Sequence, residues 1–153
     1  STDSEKQCVS PGRRWVDNPL VRILVAEDDP VSRRVREVVL KRMGHDCESM
    51  EDGSAAWDSF QRAVPDVLIT DWMMPGMAGP ELCRQVRATY GPDCYVMMLT
   101  ALSGEEQNRT AIEAGADDFL NKPLDRNQLV MRLAIAERLR TLRLKVAELD
   151  GKA

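Results

Sequence analysis

The chain has 153 residues, of which 43% are hydrophobic and 30% are charged, and its formal net charge is −4. This length and composition predict one globular domain with its own core and exclude a disordered or fibrous chain. The negative charge disfavours a nucleic-acid-binding surface. The sequence has no apolar run of the roughly 18 residues that a membrane helix needs, and residues 1–20 lack a secretory signal, so we expect no membrane segment.

The cysteine and histidine content restricts the kinds of metal and redox site. Cys8, Cys47, Cys83 and Cys94 show no CxxC spacing, so a zinc or dithiol redox motif is not indicated. We therefore expect reduced thiols and a cytoplasmic location. His45 is the only histidine, which excludes a histidine-rich metal site.

Five short apolar runs alternate with five helical patterns after a polar arm at residues 1–20. The apolar runs predict strands at residues 21–26, 46–50, 67–71, 95–99 and 118–121. The helical patterns begin near Pro30, Ser54, Pro80, Ser103 and Asp125. This alternation predicts an α/β fold with a parallel sheet and helices on both faces. Five strands fit the flavodoxin-like doubly wound order 2-1-3-4-5.

Apolar residues at helical spacing indicate which face of each helix packs on the sheet. In the first helix the apolar face comprises Val31, Val35, Val38 and Val39, opposite Arg33, Arg34, Arg36 and Lys41. The corresponding apolar residues are Ala56, Phe60 and Ala63 or Val64 in the second helix, Leu82, Val86 and Tyr90 in the third, and Ala111, Ile112 and Ala114 in the fourth. In the last helix, Leu129 and Leu133 are expected to pack on the sheet.

Polar side chains that can react or bind an ion lie at the carboxyl ends of four predicted strands. Glu27 and Asp28 follow the first strand, Asp71 ends the third, Thr100 follows the fourth and Lys122 follows the fifth. Each feature alone has an ordinary structural explanation, as a solvated loop or a turn. In the order 2-1-3-4-5 the first and third strands are neighbours, so the three carboxylates are expected to converge in one crevice.

The clustered carboxylates predict a magnesium site. Three carboxylates repel one another, and their pKa values rise unless a cation lies among them. Mg²⁺ prefers oxygen ligands and retains several waters. Glu27, Asp28 and Asp71 are therefore predicted to bind Mg²⁺, with the backbone carbonyl of Met73 as a further ligand.

The same cluster predicts phosphoryl chemistry at one carboxylate. A carboxylate that attacks a phosphoryl group forms an aspartyl phosphate, and this transfer needs mainly alignment and charge neutralisation. We expect Asp71 to be the nucleophile. Lys122 is expected to supply an ammonium group, and Thr100 a hydroxyl group, to the phosphoryl oxygens.

Four segments carry a family resemblance. They are residues 24–30 (LVAEDDP), 71–79 (DWMMPGMAG), 99–101 (LTA) and 115–123 (GADDFLNKP). In order and spacing they resemble the receiver domain of two-component response regulators, over about residues 20–140. The resemblance implies that Asp71 accepts a phosphoryl group from a phosphohistidine of a histidine kinase or a histidine phosphotransfer protein. It implies a signalling domain rather than an enzyme acting on a separate substrate.

The resemblance also implies how the phosphoryl group is read. Thr100 and Phe119 take the positions of the family's switch residues, here with phenylalanine as the aromatic. The signalling face is then expected on the fourth helix, the fifth strand and the last helix. Met73 and Leu102 occupy the positions that tune dephosphorylation, and neither side chain can position a water by hydrogen bonding. We therefore expect slow loss of the phosphoryl group.

The last predicted helix continues beyond the receiver pattern. Its apolar residues Ile135, Leu139, Leu142, Val146 and Leu149 alternate spacings of 4 and 3, which is typical of a coiled-coil seam. The sequence thus divides into an arm (1–20), a receiver domain (21–134) and a helical extension (135–153). A homodimer through this helix or through the signalling face is expected; the alternative is a helix whose leucines cover its own domain.

Several readings remain open at this stage. The chain could be a stand-alone receiver, or a receiver from a larger diguanylate cyclase or hybrid kinase, which the seam favours. An aspartyl-nucleophile phosphatase of the haloacid dehalogenase type needs a second aspartate where Met73 stands. A flavodoxin-type cofactor binder needs a phosphate loop where Glu27 and Asp28 stand. A binding module that never turns over phosphate is the remaining alternative.

Overall fold

The structure is a computed structural model that describes residues 21–101, 104–122 and 125–150. The strands are β1 (Arg22–Ala26), β2 (Asp46–Met50), β3 (Val67–Asp71), β4 (Tyr95–Thr100) and β5 (Asp118–Asn121). The helices are α1 (Pro30–Arg42), α2 (Gly53–Arg62), α3 (Gly79–Tyr90), α4 (Glu105–Ala114) and α5 (Arg126–Asp150). The predictions made for residues 1–20, Leu102 and Ser103 lie outside the described residues.

The five strands form one parallel sheet in the order β2-β1-β3-β4-β5. The register pairs Ala26 with Thr70 and Asp71 with Leu99, so the carboxyl ends of β1, β3 and β4 lie side by side. The predicted five-stranded, doubly wound α/β fold is therefore confirmed. This topology places the ends of β1 and β3 at the crevice where ligands bind in open parallel sheets.

Each face of the sheet carries its own hydrophobic core. Because successive strand residues point to opposite faces, Ile69 and Leu68 belong to different cores. The first core joins the sheet to α1 and α5 through Leu40 and Leu133. The second core joins it to α2, α3 and α4 through buried residues that include Phe60, Leu82, Val86 and Ala111.

The inner face of α1 differs from the prediction. Val31 and Val35 are 70% and 56% exposed, whereas Arg36 and Leu40 are buried. The helical period is as predicted and Val39 packs partly on the first core, but the buried face centres on Arg36 and Leu40. Arg36 is buried because its guanidinium pairs with Glu27 at the end of β1, a partner that the helix pattern does not reveal.

Two further helix faces need correction. In α2 the buried residues include Ser59, which donates a hydrogen bond to Glu48 at 2.9 Å, while Ala63 and Val64 are exposed. Ala63 already lies at the extended C-cap of α2 and so leaves the helical face. In α4 the alanines pack inward, but Ile112 is 71% exposed. In α3 the predicted face is correct.

Helix α5 runs without a break from the receiver into the predicted extension. Leu129, Leu133 and Ala136 are buried, and Leu139 packs partly on the first core. Leu139 therefore covers its own domain, while the other residues of the predicted seam, Ile135, Leu142, Val146 and Leu149, are 43%, 53%, 57% and 86% exposed. The seam and the boundary at residue 135 stay predictions.

Two arginines of α5 attach the helix to the opposite edge of the sheet from the predicted site. Arg140 Nε lies 3.0 Å from Asp66 Oδ1, just before β3. Arg143 donates to the Pro92 carbonyl at 2.8 Å and lies 3.4 Å from Asp117 Oδ1. Among the described residues, no helix has the length and apolarity to cross a membrane.

Candidate functional site

The ends of β1 and β3 bring three carboxylates together. The side-chain oxygens of Glu27, Asp28 and Asp71 lie within 4.8 Å of one another. Glu27 and Asp71 are 0% and 1% exposed, whereas Asp28 is exposed. The site therefore combines two buried acids with one acid that faces solvent.

The β1–α1 connection fixes Glu27. Its backbone N–H donates to the Met50 carbonyl at 3.0 Å, and its Oε2 accepts from the Asp29 N–H at 3.0 Å. Asp29 caps α1 by accepting from the Ser32 N–H at 2.9 Å, which lowers the pKa of Asp29. Pro30 follows at the first helical position. Asp29 thus starts the helix, while Glu27 and Asp28 remain in the crevice.

The β3–α3 loop fixes Asp71. The Trp72 N–H donates to the Leu99 carbonyl at 2.8 Å, and the Gly79 N–H donates to the Trp72 carbonyl at 2.8 Å. A Cβ atom at position 79 would lie 2.3 Å from the Asp71 carbonyl oxygen, so the loop can close only with glycine there. This closure holds the backbone immediately after Asp71.

Two cations face the buried carboxylates. Lys122 Nζ lies 3.0 Å from Asp71 Oδ1 and 3.6 Å from Glu27 Oε1. The backbone N–H of Lys122 donates to the Thr100 carbonyl at 2.8 Å, which anchors the lysine next to β4. Arg36 Nη1 pairs with Glu27 Oε1 and lies 3.5 Å from Asp71 Oδ1.

Arg36 was not among the predicted site residues. A signal was present, because Arg36 and Leu40 stand one helical turn apart and Met43 follows at the next turn. These positions define the face of α1 that packs on the sheet. An arginine on such a face needs an anionic partner, and Glu27, Asp28 and Asp29 immediately precede the helix.

The pKa values of the two buried acids are shifted in opposite directions. Burial raises the pKa of Asp71 to about 7, the neighbouring Glu27 carboxylate adds to this, and the Lys122 ammonium opposes it. Burial also acts to raise the pKa of Glu27, but the Asp71 carboxyl group, the Asp29 N–H, Arg36 and Lys122 outweigh it and lower the pKa to about 2. Within this pair Asp71 therefore takes up a proton more readily than Glu27.

The donor set suits a hard divalent cation. Three carboxylate oxygens from two adjacent strand ends match the ligands that Mg²⁺ prefers. Among the described residues, neither carboxylate oxygen of Asp71 has a hydrogen bond of regular geometry. A bound cation would satisfy these oxygens and keep Asp71 ionised. Met73 lies in the following loop with its side chain 69% exposed, and the ligand role of its carbonyl stays a prediction.

The predicted switch residues lie beside this crevice. Thr100 ends β4 and is 2% exposed, and Phe119 on β5 is partly buried. The Phe119 ring contacts Trp72 edge to face, with ring centroids 5.9 Å apart at an angle of 74°. The sequence did not predict this contact, which links the residue after Asp71 to β5.

The fold and the site together define the class. The family model of the response regulator receiver domain matches residues 23–134. The chain belongs to this family, and it is a receiver domain of two-component signalling.

Individual relatives support the same assignment. Response regulator MprA of Mycobacterium tuberculosis (strain ATCC 25618 / H37Rv) is 39% identical over 113 residues, which is 74% of this chain and 49% of the relative. Response regulator MprA of Mycobacterium sp. (strain KMS) is 38% identical over the same shares. The chain thus spans about half the length of the curated relatives it matches.

Solved structures match the fold over most of the chain. The Francisella response regulator 1452 receiver domain superposes with a TM-score of 0.73 at 29% identity, covering 77% of this chain and 97% of that one. The Vibrio cholerae chemotaxis protein CheY4 superposes with a TM-score of 0.73 at 28% identity, covering 77% and 99%. The described architecture is therefore that of complete receiver domains.

Proposed function

We propose that this receiver domain takes a phosphoryl group onto Asp71 from the phosphohistidine of a histidine kinase or histidine phosphotransfer protein. A carboxylate oxygen of Asp71 attacks phosphorus, the N–P bond breaks, and the imidazole leaves with the bonding electrons. The product is a mixed anhydride. The observation that carries the proposal is the buried Asp71 carboxylate, which has no regular hydrogen bond among the described residues, lies 3.0 Å from Lys122 and is clustered with Glu27 and Asp28.

In this proposal each residue of the crevice has its own role. Glu27, Asp28, Asp71 and the Met73 carbonyl would hold Mg²⁺, which when bound supplies positive charge beside the phosphoryl oxygens. Lys122 exchanges its ion pair with Asp71 for one with the new phosphoryl group. The Thr100 hydroxyl group donates a hydrogen bond to another phosphoryl oxygen. No further protein base is needed, because Asp71 reacts as a carboxylate.

In this proposal, the charge of the phosphoryl group changes the structure around it and so produces the signal. A phosphoryl group adds about −1.5 to −2 charge and strong acceptor oxygens next to Thr100. Thr100 moves toward it, and Phe119 fills the space that Thr100 leaves. Phe119 already contacts Trp72, the residue that follows Asp71. The signalling face is formed by α4, β5 and α5, and a downstream output or partner reads it.

Intact mass after incubation with acetyl phosphate and Mg²⁺ tests the proposal. We expect a gain of one phosphoryl group in the wild type and none in Asp71→Asn. Asp58→Asn is the matched control, because it makes the same charge change on the exposed face of α2. A phosphoryl gain that persists in Asp71→Asn would exclude Asp71 as the acceptor, and no gain with any donor would favour a binding module.

The phosphoryl group is proposed to be lost slowly. Met73 cannot align an attacking water by hydrogen bonding, and its side chain projects into solvent next to Asp71. The Met73→Asn variant places a polar group there and should shorten the half-life. The measurement is loss of the phosphorylated mass with time. A wild-type half-life of seconds would contradict slow loss.

A second proposal concerns α5, because four apolar residues of its predicted seam remain exposed. We propose that Ile135, Leu142, Val146 and Leu149 pair with a second copy and that α5 acts as a signalling linker. About two heptads are marginal alone, so pairing should depend on concentration. Sedimentation of wild type and of Leu142→Glu would test this, since the wild type should dimerise more strongly.

A separate proposal concerns the output that this receiver controls. A receiver within a larger diguanylate cyclase or hybrid kinase is the alternative that a linker helix favours. The residues that follow position 153 in the parent gene decide between this arrangement and a receiver that acts alone.

A further inference from the structure

The crevice holds a second cation that the proposed reaction does not use. Arg36 projects from α1, and its side chain is 10% exposed. Its guanidinium pairs with Glu27 Oε1 and approaches Asp71 Oδ1 to 3.5 Å. These are two of the three acids that would hold Mg²⁺. Arg36 therefore contacts two of the carboxyl groups that would bind the metal.

Charge counting shows what Arg36 does in the absence of the metal. The buried Glu27 and Asp71 provide at most two negative charges, and Arg36 and Lys122 provide two positive charges. When both acids are ionised, the two cations therefore balance the buried part of the crevice without a divalent cation. Adding Mg²⁺ brings two more positive charges among the same oxygens, and the repulsion disfavours keeping Arg36 in place.

We propose that Arg36 is an internal counterion that occupies the carboxylates of the metal-free crevice and must withdraw when Mg²⁺ binds, so that it sets the affinity for the ion. The inference rests on the proposed magnesium site. Arg36 is a positioning residue in this scheme, because it acts on the metal ligands and not on the reacting phosphoryl group.

The structure offers a destination for the displaced guanidinium. Arg36 and Lys122 line a cavity of about 540 Å³ between α1 and the start of α5. Val31 and Val35 form part of its wall, and Asp125 provides a carboxylate there. The aliphatic stem of Arg36 can pack on the valines while its charged end turns toward Asp125, beside Arg126, which also lines the cavity.

Mg²⁺ titration by calorimetry tests the proposal on the full chain. Arg36→Gln removes the charge and retains a hydrogen-bonding group for Glu27. We expect it to bind Mg²⁺ at least about fivefold more tightly, at the lower end of typical coupling between two binding events. Arg36→Lys keeps the charge and should restore an affinity closer to that of the wild type.

Arg34→Gln is the matched control. Arg34 lies on the same helix, its side chain is 76% exposed, and it pairs only at 3.6 Å with Glu37. The same loss of charge there should leave the affinity unchanged, which separates contact in the crevice from net charge. Equal affinities for wild type, Arg36→Gln and Arg34→Gln would overturn the proposal while leaving the magnesium site intact.

A second readout separates competition from a structural role. Without Mg²⁺, Arg36→Gln should melt below the wild type, because Glu27 loses a buried partner. A lower melting temperature with unchanged Mg²⁺ affinity would mean that Arg36 is only structural. Should the variant unfold in chelator, the titration is repeated in sucrose, which favours the folded state. No binding by any variant or by wild type would overturn the magnesium site itself.

Discussion

At the scale of single residues, the charges in the crevice must be balanced both before and after phosphorylation of Asp71. Lys122 contacts both buried acids, so it is the group best placed to follow the charge from Asp71 to a phosphoryl oxygen. Its side chain is 30% exposed, which leaves the ammonium able to move. Arg36 is more enclosed and belongs to α1, outside the strand ends that form the rest of the site.

Replacing Lys122 with methionine should slow phosphorylation more than it weakens Mg²⁺ binding. Methionine keeps an unbranched side chain, one atom shorter, and removes the charge that compensates the phosphoryl oxygens. We expect a rate loss of about 10²-fold or more, comparable to the removal of one electrostatic stabiliser. The rate of mass gain with acetyl phosphate measures it. An unchanged rate would exclude contact between Lys122 and the phosphoryl group.

His45 provides a pH test that is separate from the metal site. It is 8% exposed, its Nδ1 has no hydrogen-bond partner among the described residues, and burial lowers its pKa. Its Nε2 lies 3.4 Å from Glu137 Oε2, and burial raises the pKa of Glu137. The folded state therefore favours neutral His45.

The sign of the effect follows from this lowered pKa. Below the ordinary value of about 6.5, the unfolded state binds the proton more readily, so stability falls as pH decreases. The slope is at most about 1.4 kcal/mol per pH unit, reduced where Glu137 offsets the new charge. The raised pKa of Asp71 has the opposite effect in this window but acts in both proteins, so the difference between wild type and His45→Gln isolates His45. In urea unfolding at pH 7 and 5, the change in stability on acidification should be less favourable in the wild type than in His45→Gln. Parallel slopes would contradict the assignment.

At the scale of elements, Arg87 ties α3 to the amino-terminal edge of the sheet. Its Nε donates to the Gly115 carbonyl at 2.8 Å, and its Nη1 donates to the Cys94 carbonyl at 2.7 Å. Its Nη2 lies 2.7 Å from Asp117 Oδ2. Asp117 also accepts from the Val96 N–H at 2.9 Å. One arginine thus joins α3, the end of α4 and the starts of β4 and β5.

Arg87→Ala should cost about 1 to 3 kcal/mol of unfolding free energy, the range for leaving hydrogen-bonded acceptors without their donor, since the Arg87 and Asp117 side chains are only partly buried. Arg84→Ala is the control, because Arg84 lies on the same helix, its side chain is 53% exposed, and Glu81 is its ion-pair partner among the described residues. That change should cost less than about 1 kcal/mol. Urea denaturation measures both, and equal costs would contradict the structural role of Arg87.

A different prediction concerns the arginines of α5. Arg140 and Arg143 attach the helix to Asp66 and Pro92, so the double variant Arg140→Gln/Arg143→Gln should loosen α5 without unfolding the sheet. Amide exchange should increase in the last third of α5. Arg138→Gln, an exposed neighbour, should leave exchange unchanged. Equal exchange in all proteins would show that apolar packing alone holds the helix.

The sequence predicted strand order and strand ends well because both depend on local patterns. Apolar runs end where Glu27, Asp71 and Lys122 begin, and parallel strands must present these ends at one edge. The positions of Arg36 and Leu139 could not be predicted in this way. Each is decided by a partner on another element, and hydrophobic periodicity reports only a side chain's own preference for burial. The contact between Trp72 and Phe119 was missed for the same reason.

At the scale of the whole molecule, the proposed metal site should couple to global stability. A ligand that binds only the folded state stabilises it by about 2.7 kcal/mol at a concentration 100 times its Kd. Mg²⁺ should therefore raise the melting temperature of the wild type. Asp28→Asn should reduce this rise, because Asp28 is exposed and its loss removes a ligand without emptying the core. Asp58→Asn should show the full rise.

The continuity of α5 also has a mechanical consequence. With 25 residues it is about 37 Å long, and it starts only four residues after Lys122. Its base lies next to the proposed site, and Arg140 and Arg143 hold it at the opposite edge of the sheet. The helix can therefore act as a rigid rod that carries a shift at its base to those two anchors and to the exposed residues beyond them.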